Sequence, residues 1–243
     1  MDVIDDLAAE QDRLADLLGG LDDEQWSSPS GAAGWSIADV VLHLAQTEEA
    51  AVSSISHAGT PQMWRRGSES VDDAAEAAVR SQRMSGAAVF ERWQAARRAS
   101  VAALRAADPH VRVPWVASTL TPTTLATTRL AEHWAHGLDI TDPLGLPFPD
   151  SDRLRHIAWL GHRTLPYACR VEGIEAHDVY CELTAPSGDT WRFGPESAES
   201  RISGSAGEFC RVGARRLTPD QTSLAAIGPH AADALRVLRN YAA

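Results

Sequence analysis

Residues 128–139, Thr-Arg-Leu-Ala-Glu-His-Trp-Ala-His-Gly-Leu-Asp, set a carboxylate and an imidazole, Glu132 and His136, four positions apart. On a helix that spacing puts both on one face. Each is a good ligand for a divalent ion. Leu130, Trp134 and Leu138 repeat at the same interval and form an apolar stripe on the other side, which leaves Arg129, Glu132, His136 and Asp139 together. A solvated helix face has the same pattern, and two ligands are an incomplete zinc centre, since a catalytic site takes three from the protein and keeps a position open. His43 is the best third candidate. It sits near an apolar stripe, where an imidazole needs either a ligand role or a hydrogen bond to a backbone carbonyl. Spacing alone leaves both readings standing. His133 points about 100° away from Glu132, while His156 and His162 are six apart and share no face, so these three are set aside.

These residues need helices to carry them. Val3, Ile4, Leu7, Leu14, Leu17 and Leu18 recur at near-helical spacing before Gly19-Gly20, predicting a first helix over 2–20. A Ser-, Gly- and Pro-rich loop follows to Trp35. Ser36 can then cap a helix with the stripe Ile37, Val40, Val41 and Leu44, and His43 lies on its flank. Asp72 to Ala107 is proline-free and rich in Ala, Arg and Glu, which predicts one long helix or two broken near Gly86, ended by Pro109 and Pro114. Thr121-Pro122 opens another helix to about Asp139, before Pro143 and Gly145. Four helices within 145 residues imply a bundle.

The stretch 145–152, GLPFPDSD, marks a boundary between a bundle over residues 1–145 and an α+β domain over 146–243. In the second part a helix is expected from Arg153 to Ala168. Residues 179–183 and 190–193 then form a hairpin around Pro186-Ser187-Gly188-Asp189, followed by helices over Ser205–Arg216 and His230–Tyr241. The fold class is therefore α+β, mainly α. Of the eight tryptophans, Trp35, Trp134 and Trp159 read as core anchors.

With 22 basic against 33 acidic residues and a formal charge of -11, the chain lacks the clustered Lys/Arg of a nucleic-acid surface. The start MDVIDDLAAEQDRLADLL has no secretory-signal pattern, and no segment approaches the roughly 18 apolar residues that span a bilayer, so a cytoplasmic location and no membrane partner are expected. Cys169, Cys181 and Cys210 are three and widely spaced, which predicts buried reduced thiols rather than disulfides or a Cys-rich metal site. A nucleophilic Cys210 is the alternative, though nothing in its neighbourhood demands it.

Gly34-Trp35-Ser36-Ile37-Ala38-Asp39-Val40-Val41-Leu42-His43-Leu44 resembles the second-helix motif of DinB-like proteins. Arg129-x-x-Glu132-x-x-x-His136-x-x-Asp139 resembles their later metal-ligand segment as found in mycothiol-dependent maleylpyruvate isomerases. The resemblance covers most of the chain and implies a DinB-like four-helix bundle joined to a smaller sterol-carrier-like α+β domain. It implies His43, Glu132 and His136 as ligands of Zn2+ or another divalent metal. Asp39 and Arg129 would orient them, and Asp139 would make a helix-end contact only. The second domain's match is looser, resting on the hairpin, on Ile202-Ser203-Gly204-Ser205-Ala206 and on Gly213-Ala214-Arg215-Arg216. There Arg215 matches the arginine that the family's second domain supplies to its cleft.

The function implied is an isomerase or thiol transferase using mycothiol as cosubstrate, with a small organic substrate. An open metal position would stabilise the thiolate, and Arg215 would steady a carboxylate or developing anionic oxygen. The same ligands serve water activation equally well. The second reading is therefore a DinB-like metal-dependent hydrolase or a non-catalytic metal-binding protein.

Overall fold

The computed structural model describes residues 2–57, 70–116 and 118–240. These residues divide into two compact units, the first ending at Phe148 and the second beginning at Pro149.

The first unit contains α1 (Val3–Leu18), α2 (Asp23–Ser27), α3 (Ile37–His57), α4 (Val71–Ser81), α5 (Gly86–Ala106) and α6 (Pro122–Leu144). The bundle core joins Leu14 and Leu18 of α1, Ile37, Val40, Val41 and Leu44 of α3, Val89 and Trp93 of α5, and Ile140 of α6. The stripe expected on α3 is thus its packing face. Asp72–Ala107 is two helices, because Ser85 caps α5 through the Ala88 amide just before Gly86. The loop before Trp35 holds a short helix that the sequence reading did not include. Its start at Asp22 has a reciprocal capping box with Gln25. A small hairpin, β1 (Val113–Trp115) and β2 (Ser118–Leu120), lies between α5 and α6 and was likewise not expected.

α6 starts as expected, with the Thr121 side chain accepting from the Thr124 amide ahead of Pro122, but it runs past Asp139 to Leu144. Pro143 lacks an N–H, so the Asp139 carbonyl loses its partner within the helix. The Gly31 amide of the loop before α3 takes that carbonyl instead, at 2.7 Å, and the helix continues to a left-handed Gly145. α6 also differs from an amphipathic helix with one exposed face. Arg129, His133 and Asp139 are buried along with Leu130, Trp134 and Leu138.

The second unit is α+β. β3 (Val179–Thr184) pairs antiparallel with β4 (Thr190–Phe193), as expected for the hairpin. β3 also runs parallel to β5 (Ser200–Ser205), and β6 (Ala225–Ile227) completes the order β4-β3-β5-β6. The helix expected over 153–168 is two, α7 (Leu154–Arg163) and α8 (Leu165–Val171). Pro166 cannot donate to the turn before it, and the Thr164 hydroxyl donates to the Arg239 carbonyl at 2.7 Å, which fixes the break. α9 (Ala206–Gly213) and α10 (Ala231–Val237) are shorter than expected, and Tyr241 lies outside the described residues. Trp134 is a buried anchor and Trp35 is half-buried, but Trp159 is 39% exposed on α7, so it is not core. Among the described residues no helix is long and apolar enough to cross a membrane.

Candidate metal centre

α3 and α6 pack side by side and bring residues 43 and 132–136 together. His43, Glu132 and His136 each offer a ligand atom, all within 4.8 Å of one another. His43 Nε2 lies 3.5 Å from Glu132 Oε2, and His136 Nε2 lies 3.6 Å from the same oxygen. Those separations are long for hydrogen bonds. They are close to the roughly 3.3–3.5 Å between neighbouring donors around a tetrahedral zinc with bonds of about 2.0–2.1 Å. The imidazole rings meet edge to face at 5.1 Å. His43 Nδ1 is buried without a hydrogen-bond partner, so the side chain is not the carbonyl-bonded core histidine of the competing sequence reading. The donor set and its spacing fit a divalent ion.

The charges support ligation too. Burial pushes the Glu132 carboxyl up, but His136, His43 and the Arg129 charge outweigh it and hold it well below the ordinary carboxylate range. It is therefore ionised near neutrality. Burial lowers His43, only partly opposed by Glu132, which keeps its imidazole neutral and able to ligate. His136 is also pressed down by burial, but Asp139 and Glu132 together raise it above its ordinary value. A bound cation must displace that proton.

Asp139 has a role the sequence did not reveal. Its Oδ2 accepts from His136 Nδ1 at 2.8 Å, so it is more than a helix-end contact. Asp39 and Arg129, expected to orient ligands, do other work. Asp39 closes a reciprocal cap with Ser36, each side chain accepting the other's backbone N–H, and takes two bonds of 2.9 Å from Arg83. Arg129 donates to Glu48 Oε1 at 2.8 Å and to Thr47 Oγ1 at 2.6 Å, inside the bundle. His133 joins that second cluster: its Nδ1 donates to the Arg129 carbonyl at 2.8 Å and its Nε2 accepts from Trp93 Nε1 at 3.2 Å. Setting it aside as a ligand agrees with this placement.

Arg215 belongs to the second unit, at the end of α9. The Arg215 amide donates to Val212 O and the Arg216 amide to Arg211 O, a paired C-terminal closure that demands a left-handed residue. Arg215 takes it with φ of 59°, the one non-glycine with positive φ among the described residues. Its exposed guanidinium donates to the Arg236 carbonyl. All three cysteines are free and buried. Burial pushes Cys181 up to about 12 and Cys210 higher still, which removes any nucleophilic reading of Cys210.

A helical bundle in which two histidines and a glutamate converge from facing helices, followed by an α+β unit, is a DinB-like fold with a second unit. The family model described as mycothiol maleylpyruvate isomerase N-terminal domain matches residues 7–141, and the chain belongs to that family. Uncharacterized proteins from two strains of Mycobacterium tuberculosis are 35% identical over 246 residues, covering 98% of this chain and 94% of their own. Among solved structures, the mycothiol-dependent maleylpyruvate isomerase superposes with a TM-score of 0.60 at 16% identity, covering 86% of each chain. A histidine mutant of that enzyme gives 0.59 at 15% identity, covering 87% of this chain and 88% of that one. At such identities these two matches establish the shared fold.

Proposed function

We propose that the protein is a mycothiol-dependent isomerase or thiol transferase in which His43, Glu132 and His136 hold a divalent ion, zinc by the donor set. Family membership supports the thiol. The observation that carries the metal is the pair of His–Glu separations, 3.5 and 3.6 Å, too long for hydrogen bonds and suited to a shared cation. When bound, the ion supplies Lewis acidity that lowers the pKa of a coordinated thiol. The protein's own share is to keep Glu132 ionised, to keep His43 neutral, and to hold His136 against Asp139.

Arg215 is the residue we assign to the anionic end of the organic substrate. A non-glycine in the left-handed conformation costs roughly 1–2 kcal/mol, and such cost is commonly retained where a side chain has work to do. Arg215→Gly should therefore keep or raise thermal stability while lowering turnover of a carboxylate substrate, with metal content unchanged. Loss of metal or of folding in that variant would assign Arg215 a structural role instead.

The decisive experiment is elemental analysis of untagged protein, followed by calorimetry with mycothiol on metal-loaded and metal-stripped samples. Metal at one equivalent and thiol binding only when loaded are expected. Equal thiol binding in both samples, or none at millimolar thiol, would leave a hydrolase or a non-catalytic metal-binding protein as the better reading. The three free cysteines suit a reducing compartment, and we place the protein in the cytoplasm. Residues 1–145 and 146–243 are further proposed as separately folding domains, and cooperative unfolding of the isolated bundle tests this.

A further inference from the structure

Asp139 lies five residues before the end of α6 at Leu144, outside the last turn in which a charge and the helix dipole interact appreciably. Helix stability therefore does not account for it. Its carboxylate is 3% exposed and accepts from His136 Nδ1 at 2.8 Å. With the Nδ1 proton committed there, the lone pair of neutral His136 is left on Nε2, the atom 3.6 Å from Glu132.

What holds Asp139 is the loop 28–36. Pro143 frees the Asp139 carbonyl, and the Gly31 amide takes it at 2.7 Å. A Cβ on Gly31 would stand 3.0 Å from Asp139 Cα and 3.1 Å from Oδ1, so a larger residue would press the loop and Asp139 apart by a few tenths of an ångström. The loop is closed on itself, with Ser30 N and Oγ both donating to the Trp35 carbonyl and Ile37 N donating to Ser28 O. Its far end carries Trp35, whose ring lies 5.2 Å from that of His43.

We propose that Asp139 is a positioning residue that fixes His136 with Nε2 toward the centre, and that the loop 28–36, through Gly31 on Asp139 and Trp35 on His43, braces both histidines of the set. The inference rests on the metal-centre reading, and its test separates the two.

Zinc affinity is measured by competition with a chromophoric chelator for the full-length wild type, Asp139→Asn and Gly31→Ala. Cobalt(II) spectra and thermal melts accompany each, and imidazole 15N shifts of His136 are recorded on metal-free protein at alkaline pH. Asp139→Asn should weaken zinc binding by roughly 10- to 100-fold and alter the cobalt spectrum, with folding retained. Gly31→Ala leaves the carboxylate in the chain but crowds it, so a change in the same direction, at about 10-fold, is expected. Wild-type His136 should carry its proton on Nδ1, and Asp139→Asn should lose that preference. Zinc affinity within about twofold of wild type in Asp139→Asn, with an unchanged tautomer, overturns the proposal. A wild type that binds no zinc but keeps the Nδ1–H form, lost in Asp139→Asn, refutes the metal centre and not the positioning of His136. Should Asp139→Asn fail to fold, Gly31→Ala decides: unchanged affinity and spectrum overturn the role of the loop.

Discussion

His133 and His136 are three residues apart on one helix, yet they belong to polar clusters built on opposite terms. Around His133 the bundle is sealed: Arg129 bonds Glu48 and Thr47, and His133 bonds the Arg129 carbonyl and Trp93, all at 2.6–3.2 Å, with Arg129, Glu48 and His133 almost fully buried. Around His136 the donors stand 3.5 and 3.6 Å apart, one ring nitrogen of His43 is unpartnered, and the Glu132 side chain is 26% exposed. The first cluster pairs Arg129 with Glu48 inside the core, leaving Glu48 Oε2 without a partner, and ties α3, α5 and α6 together. The second has longer His–Glu contacts and opens to solvent at Glu132, which suits the cation site proposed above. Composition does not tell the two apart, because both consist of a histidine, a glutamate and further polar groups. The partner of the glutamate does: Arg129 bonds Glu48 at 2.8 Å, whereas the histidines stand 3.5 and 3.6 Å from Glu132.

The largest expected effect breaks the sealed cluster. Arg129→Met leaves the Glu48 carboxylate buried and unpaired, so stability should fall by about 3–5 kcal/mol, read from denaturant melts. By contrast Glu132→Ala removes a carboxylate that has no close hydrogen bond to either histidine, and should abolish zinc binding while moving stability of the metal-free protein far less. An equal loss of stability in both variants would erase the distinction between the clusters.

Next comes acid. Burial, opposed only in part by Glu48, lowers His133 from 6.5 to about 4. The unfolded chain therefore takes up a proton near 6.5 that the folded chain refuses until about 4. Stability from this group is complete above 6.5, declines as pH falls and levels off below about 4, for a total of about 3 kcal/mol. His136 runs the other way in metal-free protein: its raised pKa contributes stability below 6.5 that is lost as pH rises through the folded value. Denaturant midpoints against pH for wild type and His133→Gln should show a shallower acid loss in the variant. Zinc affinity should also fall with acidification from above 6.5, since the ion competes with the His136 proton.

A smaller effect lies at the start of α3. Ser36→Ala removes a reciprocal cap with Asp39 and should cost about 1 kcal/mol. His43 is two turns further in, so metal affinity should hardly change. A marked loss of affinity would mean that the frayed end of α3 reaches the centre.

Local chemistry was legible along the chain. The i,i+4 pair Glu132 and His136, the Ser36 and Thr121 caps, the apolar stripe of α3 and the turn at 186–189 each depend on neighbours within a few residues, so backbone geometry alone decides them. His43 could be nominated but not joined to its partners, and the motif resemblance supplied that link. Everything that separates the two clusters depends on contacts distant in sequence. Arg129 meets Glu48 across 81 residues, and His133 meets Trp93 across 40. Gly31 reaches the Asp139 carbonyl only because Pro143 has vacated it. No spacing rule encodes such pairings. A buried polar group takes whichever partner the packing of α3, α5 and α6 brings within bonding distance, and that choice is made by the folded bundle as a whole.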